Sequence, residues 1–263
     1  MPRGKEISKE NTAAGVIQYT LSSWRHFAKL ISRDLGEYTG YTWRGHADPN
    51  WGLESSFDRM MIKIGRKPNK NTANRLLDRF KKASRGRRGP NPKEIVDVNE
   101  WWSLGQHYGL PTPLLDWTAS PYVALYYAMK PESKARSRMV YGLHMDSIDN
   151  IRKEHAKGIE NNLDPNPEWY SPETDENPRL VNQAGHFLRM PVGVEMEDWV
   201  KKHFEDSNQG ILLKVKVPSK DREACLASLN RMNINQLTLF PDLHGSATHA
   251  IDEISLKRYA MAD

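Results

Sequence analysis

Short β-forming runs separated by amphipathic helical stretches narrow the folds open to this chain more than any other feature. Tyr41-Thr42-Trp43-Arg44, Met139–His144 and Gly210–Val217 are rich in β-branched and aromatic residues, and a further strand is predicted within 179–190. Between them, Leu21, Trp24, Phe27, Ala28, Ile31 and Leu35 share one helical stripe over 21–35. Further helices are predicted over 54–64, 71–84, 94–108, 195–206, 219–230 and 243–260. Ser120-Pro121 opens another, ending near Met129, with serine as N-cap and proline at the first helical position. Gly86–Pro92 reads as a mobile loop, and 157–178, with four prolines, as an acidic surface loop. The pattern is α+β.

At 263 residues the chain can bury a sizeable core without disulfides or structural metal. It shows no internal repeat and no low-complexity linker, which favours a single domain. The lone Cys225 excludes an intramolecular disulfide and any multi-cysteine zinc or iron–sulfur centre. No apolar run reaches the roughly 18 residues of a membrane helix. Met1–Glu6 is not followed by the apolar stretch of a secretory signal. The expectation is a soluble, cytoplasmic protein without a membrane partner.

Charge is segregated. Residues 66–93 hold eleven Lys or Arg and a single acid, Asp78, a balance of +10 within a chain of net charge +5. The other 235 residues therefore sum to −5. A concentrated cationic strip holds polyanions through phosphate contacts and counterion release, which makes Arg75, Arg79, Lys82, Arg85, Arg87 and Arg88 candidate nucleic-acid contacts. A solvated helix and loop with no partner is the alternative.

Four stretches are denser in polar, aromatic and glycine residues than a core needs, of which Phe240–Gly245, a turn into the last helix, reads as mainly structural. In Trp43-Arg44-Gly45-His46, an arginine at a strand end offers a planar fork to a phosphate or carboxylate, or forms a structural ion pair. Glycine beside it lets a ligand approach the backbone. In 104–121, Gln106-His107-Tyr108 leave a helix into a Gly-Pro turn, followed by Leu114-Leu115-Asp116-Trp117-Thr118. Asp116 is either a buried network acceptor or a helix-start cap. His107 is either a core histidine or a group for proton transfer near neutral pH. The third stretch is Arg179–Phe187, a strand with alternating polar positions. No cysteine cluster, His-x-x-x-His helix, Gly-rich phosphate loop or Gly-x-Ser-x-Gly is present, so metal-independent chemistry is expected.

Taken in order, Trp43-Arg44-Gly45, Gln106–Thr112, Leu114–Thr118 with Ser120-Pro121, Asn182–Phe187 and Phe240–Leu243 resemble the FRG domain, across roughly residues 38–250. Trp43 replaces the family's phenylalanine, His46 stands where glutamine is common, and Pro113 where arginine is usual. The FRG layout is in turn similar to that of ADP-ribosyltransferases, which implies a split β-sheet core with added helices, 66–93 being a basic insertion. That resemblance implies that Arg44 and Gly45 contact NAD, and that Trp117, Thr118 and Ser120 form a second element ahead of a helix bearing Tyr127. Tyr108, Trp117 or Tyr127 would stack on nicotinamide. Gln183 stands where a catalytic glutamate is usual, with Asp116 or His107 able to take its part.

The function so implied is an NAD-dependent ADP-ribosyltransferase toxin of a toxin–antitoxin or phage-defence system. NAD is its substrate, RNA its acceptor ahead of DNA or a protein, and an antitoxin protein its partner; no metal is implied. The competing readings are a non-catalytic nucleic-acid-binding module on the same fold and a metal-free nuclease using His107.

Overall fold

The computed structural model describes residues 5–36, 40–157, 166–171 and 181–256. It contains a mixed sheet of eight strands flanked by helices, an α+β architecture. β1 (Ile7–Ala13) and β2 (Val16–Leu21) form an N-terminal hairpin around Ala14-Gly15. β2 runs parallel to β8 (Leu212–Pro218). From β8 the sheet continues antiparallel through β5 (Ser137–His144) to β3 (Tyr41–His46). On the other side, β4 (Leu114–Thr118) pairs with β7 (Gly185–Arg189), and β7 with β6 (Glu168–Tyr170). The two blocks meet at β3 and β4 through a single pair, Trp43 opposite Thr118.

Buried hydrogen bonds clasp that junction. Thr42 Oγ1 donates to the Thr118 carbonyl at 3.1 Å and accepts from His186 Nε2 at 2.6 Å. Burial holds His186 below its ordinary pKa, so the ring is a neutral donor here. Thr118 Oγ1 in turn donates to the Gln183 carbonyl at 2.6 Å.

The helix predicted from Leu21 begins later. Leu21 is the last residue of β2, paired with Ile7, and α1 covers His26–Lys29 before widening into a π turn over Leu30–Asp34. Of the stripe, Phe27 and Leu35 are buried and Trp24 and Ile31 half-buried, but Ala28 is exposed, and Leu30, outside the stripe, is buried in its stead. The helices predicted around 54–64, 71–84 and 94–108 appear as α2 (Ser56–Lys63), α3 (Lys70–Ala83) and α4 (Val98–His107). α5 (Pro121–Met129) starts at the expected Ser120 cap, whose hydroxyl accepts from Val123 N.

α6 (Met145–Lys157) and β6 occupy ground predicted as unstructured or left unread. The remainder of the 157–178 loop lies largely outside the described residues. The strand expected over 179–190 starts only at Gly185: 181–184 form a helical turn, and Ala184 has φ 45°, which breaks an extended run. Arg179 and Leu180 lie outside the described residues, as do positions 257–260 of the last predicted helix. α7 (Met196–His203), α8 (Arg222–Arg231), α9 (Gln236–Leu239) and α10 (Leu243–Ser255) complete the chain. Cys225 lies in the core, where burial pushes its thiol up to about 12. Among the described residues, no helix is long and apolar enough to cross a membrane.

α5 is apolar around most of its circumference and packs against β3. This contact gives Gly45 its purpose. A Cβ there would stand 1.9 Å from the Ala124 carbonyl oxygen and 2.6 Å from Ala128 N, so its side-chain position belongs to the α5 backbone and not to a ligand. Gly45→Ala must push α5 from the sheet and should lower the unfolding free energy by about 3 kcal/mol or more. An unchanged urea midpoint would refute the close contact.

Candidate active site

Beyond the Trp43–Thr118 pair, β3 and β4 part and leave a crevice of ≈ 670 Å³, a size suited to a small ligand. Its walls include Trp51, Trp117, Tyr127 and Phe240, and its polar groups include Arg44, Arg59, Asp116 and Gln183. Buried Arg138 holds two of its margins, donating to the carbonyls of Ala47 at 2.5 Å and Pro131 at 3.4 Å.

Arg44 spans the gap. Its Nη1 donates to the Asp116 backbone carbonyl at 2.6 Å and lies 3.6 Å from Asp116 Oδ2. Its Nε donates to His46 Nε2 at 3.0 Å, which places the imidazole proton on Nδ1, facing the Trp51 carbonyl at 3.3 Å. Nη2 makes no hydrogen bond among the described residues. Burial pulls the Arg44 pKa below its ordinary value while Asp116 works against that pull. Burial, reinforced by the Arg44 charge, depresses His46 to about 3, so the ring is neutral and can accept. The guanidinium is thus fixed at two of its three nitrogens.

Asp116 is neither buried nor a helix cap. It is exposed at the crevice mouth, with Gln106 Nε2 donating to its Oδ1 at 2.6 Å. Thr112 Oγ1 donates to Gln106 Oε1, and Leu114 N donates to Thr112 Oγ1 at 3.2 Å. A chain of side chains, Thr112–Gln106–Asp116–Arg44, therefore runs through the 104–121 stretch.

His107 and Tyr108 stand outside the crevice. α4 ends in a Schellman turn, with Leu110 N donating to Gly105 O at 2.9 Å, Gly109 N to Gln106 O at 3.0 Å, and Gly109 at φ 85°. That geometry turns Gln106 inward and leaves His107 and Tyr108 exposed, their rings edge to face at 5.0 Å. Gln106, Thr112, His46 and Arg59 are site residues that sequence reasoning missed. His46, Gln106 and Thr112 lay within stretches the sequence singled out but were given no role there, and Arg59, in α2, carried no such signal.

The remaining candidates separate by role. Trp117 lines the crevice, and its Nε1 is buried with no hydrogen-bond partner among the described residues. Tyr127 also lines it. Gln183 lines it from a loop fastened to 238–239, with Nε2 donating to the Leu239 carbonyl at 2.9 Å and Asn182 to Thr238. Thr118 is occupied in the junction clasp, and Ser120 caps α5 and does not line the crevice. Trp102 is core. Among the described residues, no group of three or more His, Cys, Asp or Glu is arranged to hold a metal ion.

The basic strip forms α3 and the turn after it. Arg75, Arg79 and Lys82 share an exposed face opposite buried Ala73 and Leu77, and Arg85 and Arg87 are exposed beyond them. Arg88 is half-buried, its guanidinium 5.0 Å from the Trp101 ring centroid.

His46 carries a pH signature. In the unfolded chain it takes up a proton near pH 6.5, whereas the native site refuses one until about 3. Stability should therefore fall as pH drops through that window, by up to about 1.4 kcal/mol per pH unit from this group. His46→Gln keeps an acceptor for Arg44 Nε and abolishes the contribution. Urea unfolding between pH 6.5 and 4.5 should show a shallower slope in the variant; parallel slopes would rule out a neutral, buried His46.

The FRG domain family model matches residues 39–137. The match takes in the Arg44 strand and the whole 104–121 stretch, but not 182–187 or 240–243. No curated protein and no solved structure matches the chain. Residues 39–137, which build the crevice's polar network, are thus similar to the FRG domain.

Proposed function

We propose that the crevice binds NAD and that the protein transfers ADP-ribose from it to a nucleic acid, RNA ahead of DNA. The observation that carries this reading is the clamped Arg44 guanidinium, with Nη2 unused among the described residues, in a crevice walled by Trp117, Tyr127 and Phe240. A fixed fork beside aromatic faces suits a ligand that joins a pyrophosphate to flat rings. Arg59, exposed on the same wall, adds a second positive charge.

In such a transfer the bond between nicotinamide and ribose C1′ breaks, and its electron pair leaves with nicotinamide. C1′ becomes oxocarbenium-like, bonds to the acceptor's nucleophile, and the nucleophile gives up its proton. Arg44 holds the pyrophosphate through the step. Asp116, the carboxylate among the crevice's lining residues, takes the proton. Gln183 presents an amide where an acid would otherwise stand, orienting a ribose hydroxyl. Water is kept from C1′ by the aromatic walls. In a cell, such a protein acts as a toxin paired with an antitoxin or triggered by phage.

Incubation with labelled NAD and RNA should release nicotinamide and label the RNA, and Arg44→Ala should slow both by about a hundredfold or more. Expression should arrest growth, and Arg44→Ala should restore it. No transfer by the wild type to RNA, DNA or protein would overturn the reading; RNA binding without nicotinamide release would identify a non-catalytic module.

A further inference from the structure

The end of α4 separates two depressions in the surface. On one side, Gln106 and Leu110 line a groove of ≈ 270 Å³ that shares Arg44, Arg59 and Asp116 with the crevice. On the other, Leu104 and Tyr108 line a larger cleft of ≈ 820 Å³ against the end of α3 and the turn that follows it. The C-terminal turn of one helix thus connects the polar network at Asp116 to the basic strip.

The chemistry of the larger cleft is specific. Arg87, Arg88 and Lys93 line it, and no carboxylate does among the described residues. Two of the cations are set in place by the protein. Arg87 Nη1 donates to the carbonyls of Ala83 at 2.8 Å and Arg85 at 3.3 Å. Arg88 donates to the Lys93 carbonyl and rests over Trp101. Holding cations in advance lowers the ordering cost of binding an anion. Tyr108 is 74% exposed, an unusual state for an aromatic ring, and it stands at the rim of this cleft. Ser84 and Asn91 add neutral polar groups.

We propose that this cleft is a binding site for single-stranded RNA. An unpaired base stacks on Tyr108, and its flanking phosphates lie on Arg87, Arg88 and Lys93. Asn91 or Ser84 meets the ribose 2′-hydroxyl, and the strand continues round the end of α4 into the groove that opens on Asp116. A duplex presents no free base face to Tyr108, and an acidic peptide would use the cations without the ring. Only the last step, delivery to Asp116, rests on the transferase reading; the binding site does not.

Fluorescence anisotropy with the full chain, no NAD, and a labelled mixed-sequence RNA of about 12 nucleotides tests it. Tyr108→Ala should weaken binding roughly fivefold to 150-fold, the loss of one stacked base, while Tyr108→Phe keeps wild-type affinity. Arg87→Gln with Lys93→Gln should lower the salt slope by about two. Affinity for NAD, measured separately, should be unchanged in all three variants. RNA affinity that ignores these substitutions, or equal affinity for DNA of the same sequence, for duplex RNA or for polyglutamate, would overturn the proposal. Variant-sensitive RNA binding without NAD turnover leaves the cleft standing and removes the transferase reading. NAD turnover with variant-insensitive RNA binding does the reverse.

Discussion

One residue pair governs the shape of this molecule. Trp43 and Thr118 join the five-strand block to the three-strand block, and beyond them the strands diverge. Full pairing of β3 with β4 would have closed the sheet and left no crevice. The clasp of Thr42, Thr118 and His186 holds the junction at that single point, and its neutral, half-buried histidine makes it a firm one. Past the junction, Arg44 Nη1 donates to the Asp116 backbone carbonyl, so a side chain bridges the strands where backbone does not. The arginine is at once part of the architecture and part of the crevice lining.

Electrostatics follow from that placement. Burial works against the charge of Arg44, and the Asp116 carboxylate and a neutral His46 offset the cost. A protonated His46 would repel the guanidinium it now receives. Asp116 is itself steadied by Gln106 and Thr112, so the motif from 106 to 116 is the support of a two-residue ion pair. The histidine inside that motif, the residue type that attracts attention in a sequence, faces away from the crevice.

What could be read from the residues was local. Ser120-Pro121 announces a helix start because capping is settled within four residues, and Asp242 caps α10 in the same way. Apolar runs revealed β5 and β8 because buried strands carry few polar positions. The N-terminal hairpin escaped notice because Ser8, Lys9, Glu10, Gln18 and Thr20 dilute its pattern. The helical stripe read from Leu21 ran into that hairpin, since Leu21 fits either period.

By itself, the sequence determined the α+β class and the segregated +10 strip, and it singled out Arg44 and the 104–121 stretch, which the fold brings to one crevice. Only the tertiary structure decided which members of that stretch face inward. A Schellman turn at Gly109 sends Gln106 to Asp116 and leaves His107 and Tyr108 outside, a choice made by the rotation of a helix end against a strand. It also decided that Gly45 makes room for α5, because close approach of two backbones is a property of packing and not of either segment alone.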